Sequence, residues 1–328
     1  MMKQYFLVAA LLTFGFQGYT QTLINQFPAP TNSCGDLAFD GEYLWIGGQD
    51  EYELFQISTV DGQVIRTIPS SARSPYGLTF DNTHLWVADT ENEIIRKIDT
   101  LNGDVISVFP SPKSDPSNLT GFAWDGNEIW INDFGDFNGG FENYENDSTF
   151  VIDIDGNTIE NYQSIGQGPT GLGYGNGFLF SADSHTDQIY IIDPNSYSVL
   201  DSFPTYGGTH PNGITWDGNY LWIANNDVDS IYQVDIGSII TSLPEVQNVE
   251  MEVSIYPNPT VDYINLEFNT SNLPIIQMVD LKGRLVLPRI RSNSNTFYSL
   301  DVSSLESGYY LLSIIGDETK TSRLILKE

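Results

Sequence analysis

Short apolar runs of four to six residues, bounded by Gly, Asn, Asp or Pro, recur from residue 22 to about residue 236. Runs of that length, rich in Val, Ile and aromatics, read as β-strands, and their boundary residues as turns. No stretch carries a convincing 3.6-residue period, so helices are not expected. One pattern repeats. Gly, an apolar residue, any residue, an aromatic and Asp are followed by a short turn and then by apolar-aromatic-apolar. The copies start at Asp36 (where the other copies have Gly), Gly77, Gly121, Gly171 and Gly213, with first aromatics Phe39, Phe80, Trp124, Tyr174 and Trp216. The second aromatics, Trp45, Trp86, Trp130, Phe180 and Trp222, stand 41, 44, 50 and 42 residues apart. Each copy continues with two more runs. The third ends in an acid, as at Asp99, Asp153, Asp193 and Asp235, and the fourth often in Pro, as at Pro69, Pro110 and Pro204.

Four strands per roughly 43 residues mark a propeller blade. Five copies predict a five-bladed β-propeller over residues 22–243. Leu23 to Pro28 has the same look as Val199 to Pro204. It predicts an outer strand that the N-terminus donates to the last blade, so that no edge is left open. Ile239 to Pro244 has that look too and competes for the place.

Beyond residue 252 the pattern changes. Residues 253–328 hold seven or so short alternating runs, which predict a small Ig-like β-sandwich. Residues 244–252 are polar and aperiodic, a linker and a plausible cleavage region. At the front, Lys3 and the apolar run Phe6 to Phe16 make residues 1–21 a secretory signal peptide, too short to span a membrane. No later stretch approaches a spanning helix, and the fold class is all-β.

The chain has 328 residues, 40% apolar and 13% aromatic, enough for a packed core. Its charge is −30, unevenly spread. Residues 253–328 hold seven basic and eight acidic side chains, whereas residues 22–252 hold five and 35. Such acidity excludes nucleic acid and anionic membrane as partners, since phosphate binding needs clustered Lys and Arg. A single cysteine, Cys34, excludes an intrachain disulfide and a Cys-rich zinc site.

Leu85 to Asp99 (LWVADTENEIIRKID) and Pro211 to Asn225 (PNGITWDGNYLWIAN) resemble NHL- and YVTN-like propellers and the five-bladed glutaminyl-cyclotransferase-like proteins. The resemblance implies the propeller fold over about residues 22–236. That family's Gln-Gly-Leu opening and its distinctive Glu-bearing segment are not found here, so no catalytic residue is carried over. The C-terminal segment resembles the type A sorting domain of the type IX secretion system. The likeness rests on Tyr256-Pro257-Asn258-Pro259, the Lys282-Gly283-Arg284 turn, Gly308-Tyr309-Tyr310 and a short basic end. It implies two-step export to the medium or outer-membrane surface. The implied partners are the type IX machinery and its sorting protease. An adhesive or spacer sandwich is the plainer alternative.

In a propeller, the loops leading into each first strand and those between the second and third strands share one face. Here that face carries Asp89, Asp133, Asp183 and Asp227 and is strongly acidic. Calcium or a cationic ligand would relieve the repulsion. The alternative is that carboxylates recurring at one repeat position cap their own turns. The 50-residue interval places extra residues between 134 and 147. Asp136, Phe137, Asn138, Phe141 and Tyr144 there suit stacking on, and hydrogen bonding to, a sugar or peptide. His185 and His210 fall on the same face, where an acid–base or metal pair with Asp183 or Asp187 competes with plain solvation. His84 is placed in a turn on the opposite face, and Cys34 is read as a small buried residue. The expectation is therefore an exported propeller that binds a glycan, peptide or cation through its acidic face. A cyclotransferase- or lyase-type enzyme on that face is the alternative.

Overall fold

In the computed structural model the described residues are 21–48, 52–113, 118–134, 147–240, 253–268, 274–280, 285–315 and 320–328. Among them, residues 22–235 form five four-stranded antiparallel sheets. Strand β1 is Thr22–Pro28. The first sheet is β2 (Cys34–Phe39), β3 (Tyr43–Gly48), β4 (Glu53–Ser58) and β5 (Val64–Pro69). The second is β6 (Pro75–Phe80), β7 (Leu85–Asp89), β8 (Ile94–Ile98) and β9 (Val105–Pro110). The third is β10 (Leu119–Trp124), β11 (Ile129–Asp133), β12 (Ser148–Ile152) and β13 (Thr158–Gln163). The fourth is β14 (Pro169–Gly175), β15 (Phe178–Asp183), β16 (Gln188–Asp193) and β17 (Ser198–Pro204). The fifth is β18 (Pro211–Trp216), β19 (Leu221–Asn225), β20 (Ser230–Asp235) and, outermost, β1. The first strands touch in a closed cycle, β2 to β6, β10, β14, β18 and back to β2.

β1 pairs antiparallel with β20, and Phe27 packs against Trp222 with ring centroids 5.7 Å apart. Phe109 in the outer strand β9 likewise packs on Trp86, there stacked, at 5.0 Å. The N-terminal strand thus fills the role of a fourth strand and removes the open edge. Its competitor does not form a strand at Ile239 and Ile240, which lie in a one-turn helix, Gly237–Ile240. Residues 241–244 lie outside the described residues.

The Asp of each repeat explains the hairpin. Asp40 Oδ1 accepts the amides of Glu42 and Tyr43, closing the turn. Its Oδ2 accepts Trp45 Nε1 at 2.8 Å, so a fully buried indole keeps its hydrogen bond. Asp81 with Trp86, Asp125 with Trp130 and Asp217 with Trp222 repeat this at 2.8, 2.9 and 2.7 Å. The fourth copy has Gly175 for the Asp and Phe180 for the Trp, so donor and acceptor are lost together. A Cβ at Gly175 would lie 2.2 Å from the Trp216 ring, which instead stacks on Phe180 at 5.8 Å.

Residues 253–328 form two facing sheets. β21 (Val253–Tyr256), β22 (Tyr263–Phe268) and β25 (Phe297–Asp301) make one. β24 (Leu285–Arg291), β23 (Ile275–Asp280), β26 (Gly308–Ile315) and β27 (Lys320–Lys327) make the other. Ile264, Leu266 and Leu300 from the first meet Ile276, Met278, Leu312 and Ile325 from the second in one buried core. Tyr256-Pro257-Asn258-Pro259 turns between β21 and β22, with both X-Pro bonds cis. Asn258 ties this turn to the last strand: Nδ2 donates to Leu324 O and Oδ1 accepts from Leu326 N, each at 2.9 Å. Tyr256 Oη donates to Glu267 at 2.5 Å. Gly308 opens β26, and exposed Tyr309 faces Leu326 across the ladder.

Candidate functional site

The four expected carboxylates of the loop face each have hydrogen-bond partners. Asp89 Oδ2 accepts Arg96 Nη2 at 2.6 Å and Nε at 2.9 Å. Asp133 takes Lys113 Nζ at 2.9 Å and the amide of Asn118 at 3.0 Å. Asp183 accepts four amides, from Gln167, Gly168, His185 and Thr186. Asp227 accepts the Thr209 hydroxyl and His210 Nδ1, which together hold its carboxyl below the ordinary range. The four expected cation ligands sit one per sheet: Asp183 caps amides of its own loop, Asp89 and Asp133 meet cationic side chains, and Asp227 meets Thr209 and His210. Among the described residues no group of three or more His, Cys, Asp or Glu could hold a metal ion.

The two histidines sit in neighbouring sheets. His210 pairs with Asp227 at 2.9 Å rather than with Asp183, and its amide donates to Asp187. His185 is anchored through its amide to Asp183. The third-sheet loop residues Asp136, Phe137, Asn138, Phe141 and Tyr144 lie outside the described residues. At the loop's end, Asp147 is buried, and its Oδ2 has no hydrogen-bond partner among the described residues. Burial pushes its carboxyl up to about 7; Lys113 pulls the other way, and Asp133 and Asp183 push with the burial.

The axial channel is different at its two ends. At the loop face, side chains cross it. Tyr76 Oη donates to Asn212 Oδ1, and Asn212 Nδ2 donates to Cys34 O. Asn226 Oδ1 takes both the amide and the thiol of Cys34, at 2.9 and 2.7 Å. Burial pushes that thiol up to about 12, so it is not a nucleophile near neutral pH.

At the next level stands Asp36, fully buried. It occupies the position that the other four copies give to Gly. The reason for Gly there is close approach: a Cβ on Gly121 would lie 2.1 Å from Thr170 O. Asp36 accepts the amides of Leu37 at 2.9 Å, Ile214 at 3.0 Å, Phe122 at 2.8 Å and Leu78 at 3.4 Å. One carboxylate thus binds four of the five sheets together.

The opposite end is open. A cavity of about 290 Å³ lies on the axis, walled by Phe39, Phe80, Trp124, Tyr174 and Trp216, one aromatic from the end of each first strand. All five rings are half-buried. Asp40, Asn82 and Asp217 stand around them, and among the described residues no Lys, Arg or His lines the cavity. In the sequence all five aromatics stand as a mark of the repeat. The usable signal was their register. An aromatic ending every first strand must place five rings at one height around the axis.

Residues 254–328 match the family described as the secretion system C-terminal sorting domain. That domain marks proteins exported by the type IX route to the cell surface or outer membrane. No curated protein matches the sequence. Among solved structures, Myxococcus xanthus glutaminyl cyclase is similar, with 14% identity and a TM-score of 0.54 over 65% of this chain and 95% of that one. A catalytically inactive virginiamycin B lyase from Staphylococcus aureus, solved with quinupristin, has 20% identity and a TM-score of 0.40 over 64% and 68%. A chain of a nidogen/laminin complex has 18% identity and a TM-score of 0.47 over 65% and 78%. At such identity the first likeness is one of propeller fold alone.

Proposed function

We propose that this chain is a surface-delivered binding protein that takes a small ligand into the axial pocket, the C-terminal domain serving as its address. The supporting observation is the contrast between the channel's ends. One is crossed by hydrogen-bonded side chains and ringed by carboxylates that already have hydrogen-bond partners. The other is an open concave cavity, ringed by one aromatic from each first strand and more polar than apolar in its exposed lining. The proposed site therefore moves from the acidic loop face to the opposite one. Trp124 and Trp216 make a direct test. A small-molecule panel is titrated against the full chain by intrinsic fluorescence. Binding should quench the signal and be lost in Trp124→Leu and Trp216→Leu. A ligand indifferent to both substitutions, but lost when residues 135–146 are shortened, would return the site to the loop face.

The His210–Asp227 contact favours a second reading, acid–base catalysis on the loop face. Assays for N-terminal glutamine cyclisation and for glycan lyase activity test it. Turnover abolished by His210→Ala would favour this reading over pure binding.

A further inference from the structure

Resting on the axial-pocket reading, we infer that the pocket's ligand is a small organic cation with a methylated ammonium group. The first ground is charge. Residues 22–252 carry the whole of the −30, with only Arg66, Arg73, Arg96, Lys97 and Lys113 against it. All five are engaged elsewhere. Arg73 pairs with Glu91 at 3.1 Å, Arg96 with Asp89 at 2.6 Å and Lys113 with Asp133 at 2.9 Å. Arg66 lies 5.0 Å over the Trp45 ring, and Lys97 pairs with Asp81 while lying 4.9 Å over Trp86. The protein has no further cation here to offer the pocket, whose rim carries Asp40 and Asp217.

The second ground is the wall. Aromatic rings attract cations through their quadrupole, most strongly where water is displaced. The fold already uses this pairing twice: in the first two sheets an indole beside a carboxylate collects a cation of the chain itself. The axial pocket brings the same two elements, rings and carboxylates, to one rim.

The third ground selects the kind of cation. A metal ion needs free carboxylate lone pairs. Asp40 already accepts from Glu42, Tyr43, Trp45 and Gln56, and Asp217 from Asn219, Tyr220 and Trp222. These groups supply field without coordination. That suits a bulky charge that makes no hydrogen bonds and rests on rings. A volume of about 290 Å³ fits a ligand of choline size, at the small end of ligand sites.

The test compares choline with its uncharged isostere, 3,3-dimethylbutan-1-ol, by calorimetry on the full chain. Choline should bind about tenfold or more tightly than the alcohol, and more weakly as salt rises. Asn82→Lys, an exposed change at the rim that leaves the aromatic wall intact, should weaken choline and spare the alcohol. Equal binding of both probes, or binding of the alcohol alone, with either lost in Trp124→Leu, overturns the cation and keeps the pocket. If neither probe binds, and neutral aromatic probes such as indole also fail, both inferences fall. Circular dichroism of each variant separates lost binding from lost fold.

Discussion

Replacing Asp36 by Gly makes the first repeat like the other four at that position, and the structure expects it to destabilise the propeller. The three shorter amide contacts, at 2.8, 2.9 and 3.0 Å, are full hydrogen bonds, and the fourth at 3.4 Å is weak. A buried amide left without an acceptor costs about 1–3 kcal/mol, so three of them give about 3–9 kcal/mol gross. Part of this returns. Burial pushes the Asp36 carboxyl well above the ordinary carboxylate range, against the amides that pull it down, so removing it relieves a desolvation cost. Added backbone freedom at Gly is a further loss of about 0.5–1 kcal/mol. The expected net loss is about 3 kcal/mol or more. Urea unfolding followed by tryptophan fluorescence reads it cleanly. All six tryptophans, at 45, 86, 124, 130, 216 and 222, lie in the propeller, so the sorting domain is silent. Asp36→Asn keeps one acceptor oxygen and should fall between the two. A Gly variant within about 0.5 kcal/mol of the parent, the ordinary scatter of surface changes, would refute the idea that Asp36 joins the sheets.

Four further outcomes can be checked. Asp147 titrates at about 7 in the fold, against about 3.9 in an unfolded chain, so it binds its proton more tightly when folded. Its contribution to stability is complete below about pH 4 and is lost as the pH rises through about 7; Asp147→Asn should abolish that slope in melting temperature and raise stability at pH 8. Asp125→Ala leaves the buried Trp130 indole N–H without its acceptor and uncaps the turn; a loss of about 2–3 kcal/mol is expected in the same unfolding assay. Gly175→Asp restores the repeat pattern, yet should cost about 1–3 kcal/mol by overpacking against Trp216; a gain in stability would refute the account of the fourth sheet. Asn258→Ala removes both bonds from the turn to β27 and should lower surface delivery, measured by whole-cell protease accessibility, while leaving the fluorescence-detected melt unchanged.

The repeat made the ring legible because each apolar run and each turn residue reports a local constraint. The same logic read the closing strand from the likeness of Leu23–Pro28 to Val199–Pro204, which β1 satisfies. It read the carboxylates of the loop face less well, since composition counts charges without showing what they touch. Asp89 and Asp133 count as anions in the sequence, but in the fold Asp89 meets Arg96 of its own sheet and Asp133 meets Lys113 of the connection from the preceding one.

The axial pocket was hidden for the opposite reason. Its residues were visible, but as part of the pattern that defined the fold. A residue repeated five times is ordinarily explained by what it does inside one sheet, and Asp40, Asp81, Asp125 and Asp217 bear that out: each completes its own hairpin. The aromatic one position earlier obeys a different constraint. It stands where five first strands converge, so its environment is set by four other copies as well as its own. Symmetry then turns a packing residue into a wall. The departures from symmetry carry the most information about the axis. Asp36 breaks the run of Gly at one level and joins the sheets there. Gly175 breaks the run of Asp at the next and lets the Trp216 ring lie across it. A repeat without departures would make a symmetric channel. This one is crossed at the loop end by Tyr76 and Asn212, which two copies supply, and ringed at the other end by an aromatic from every copy.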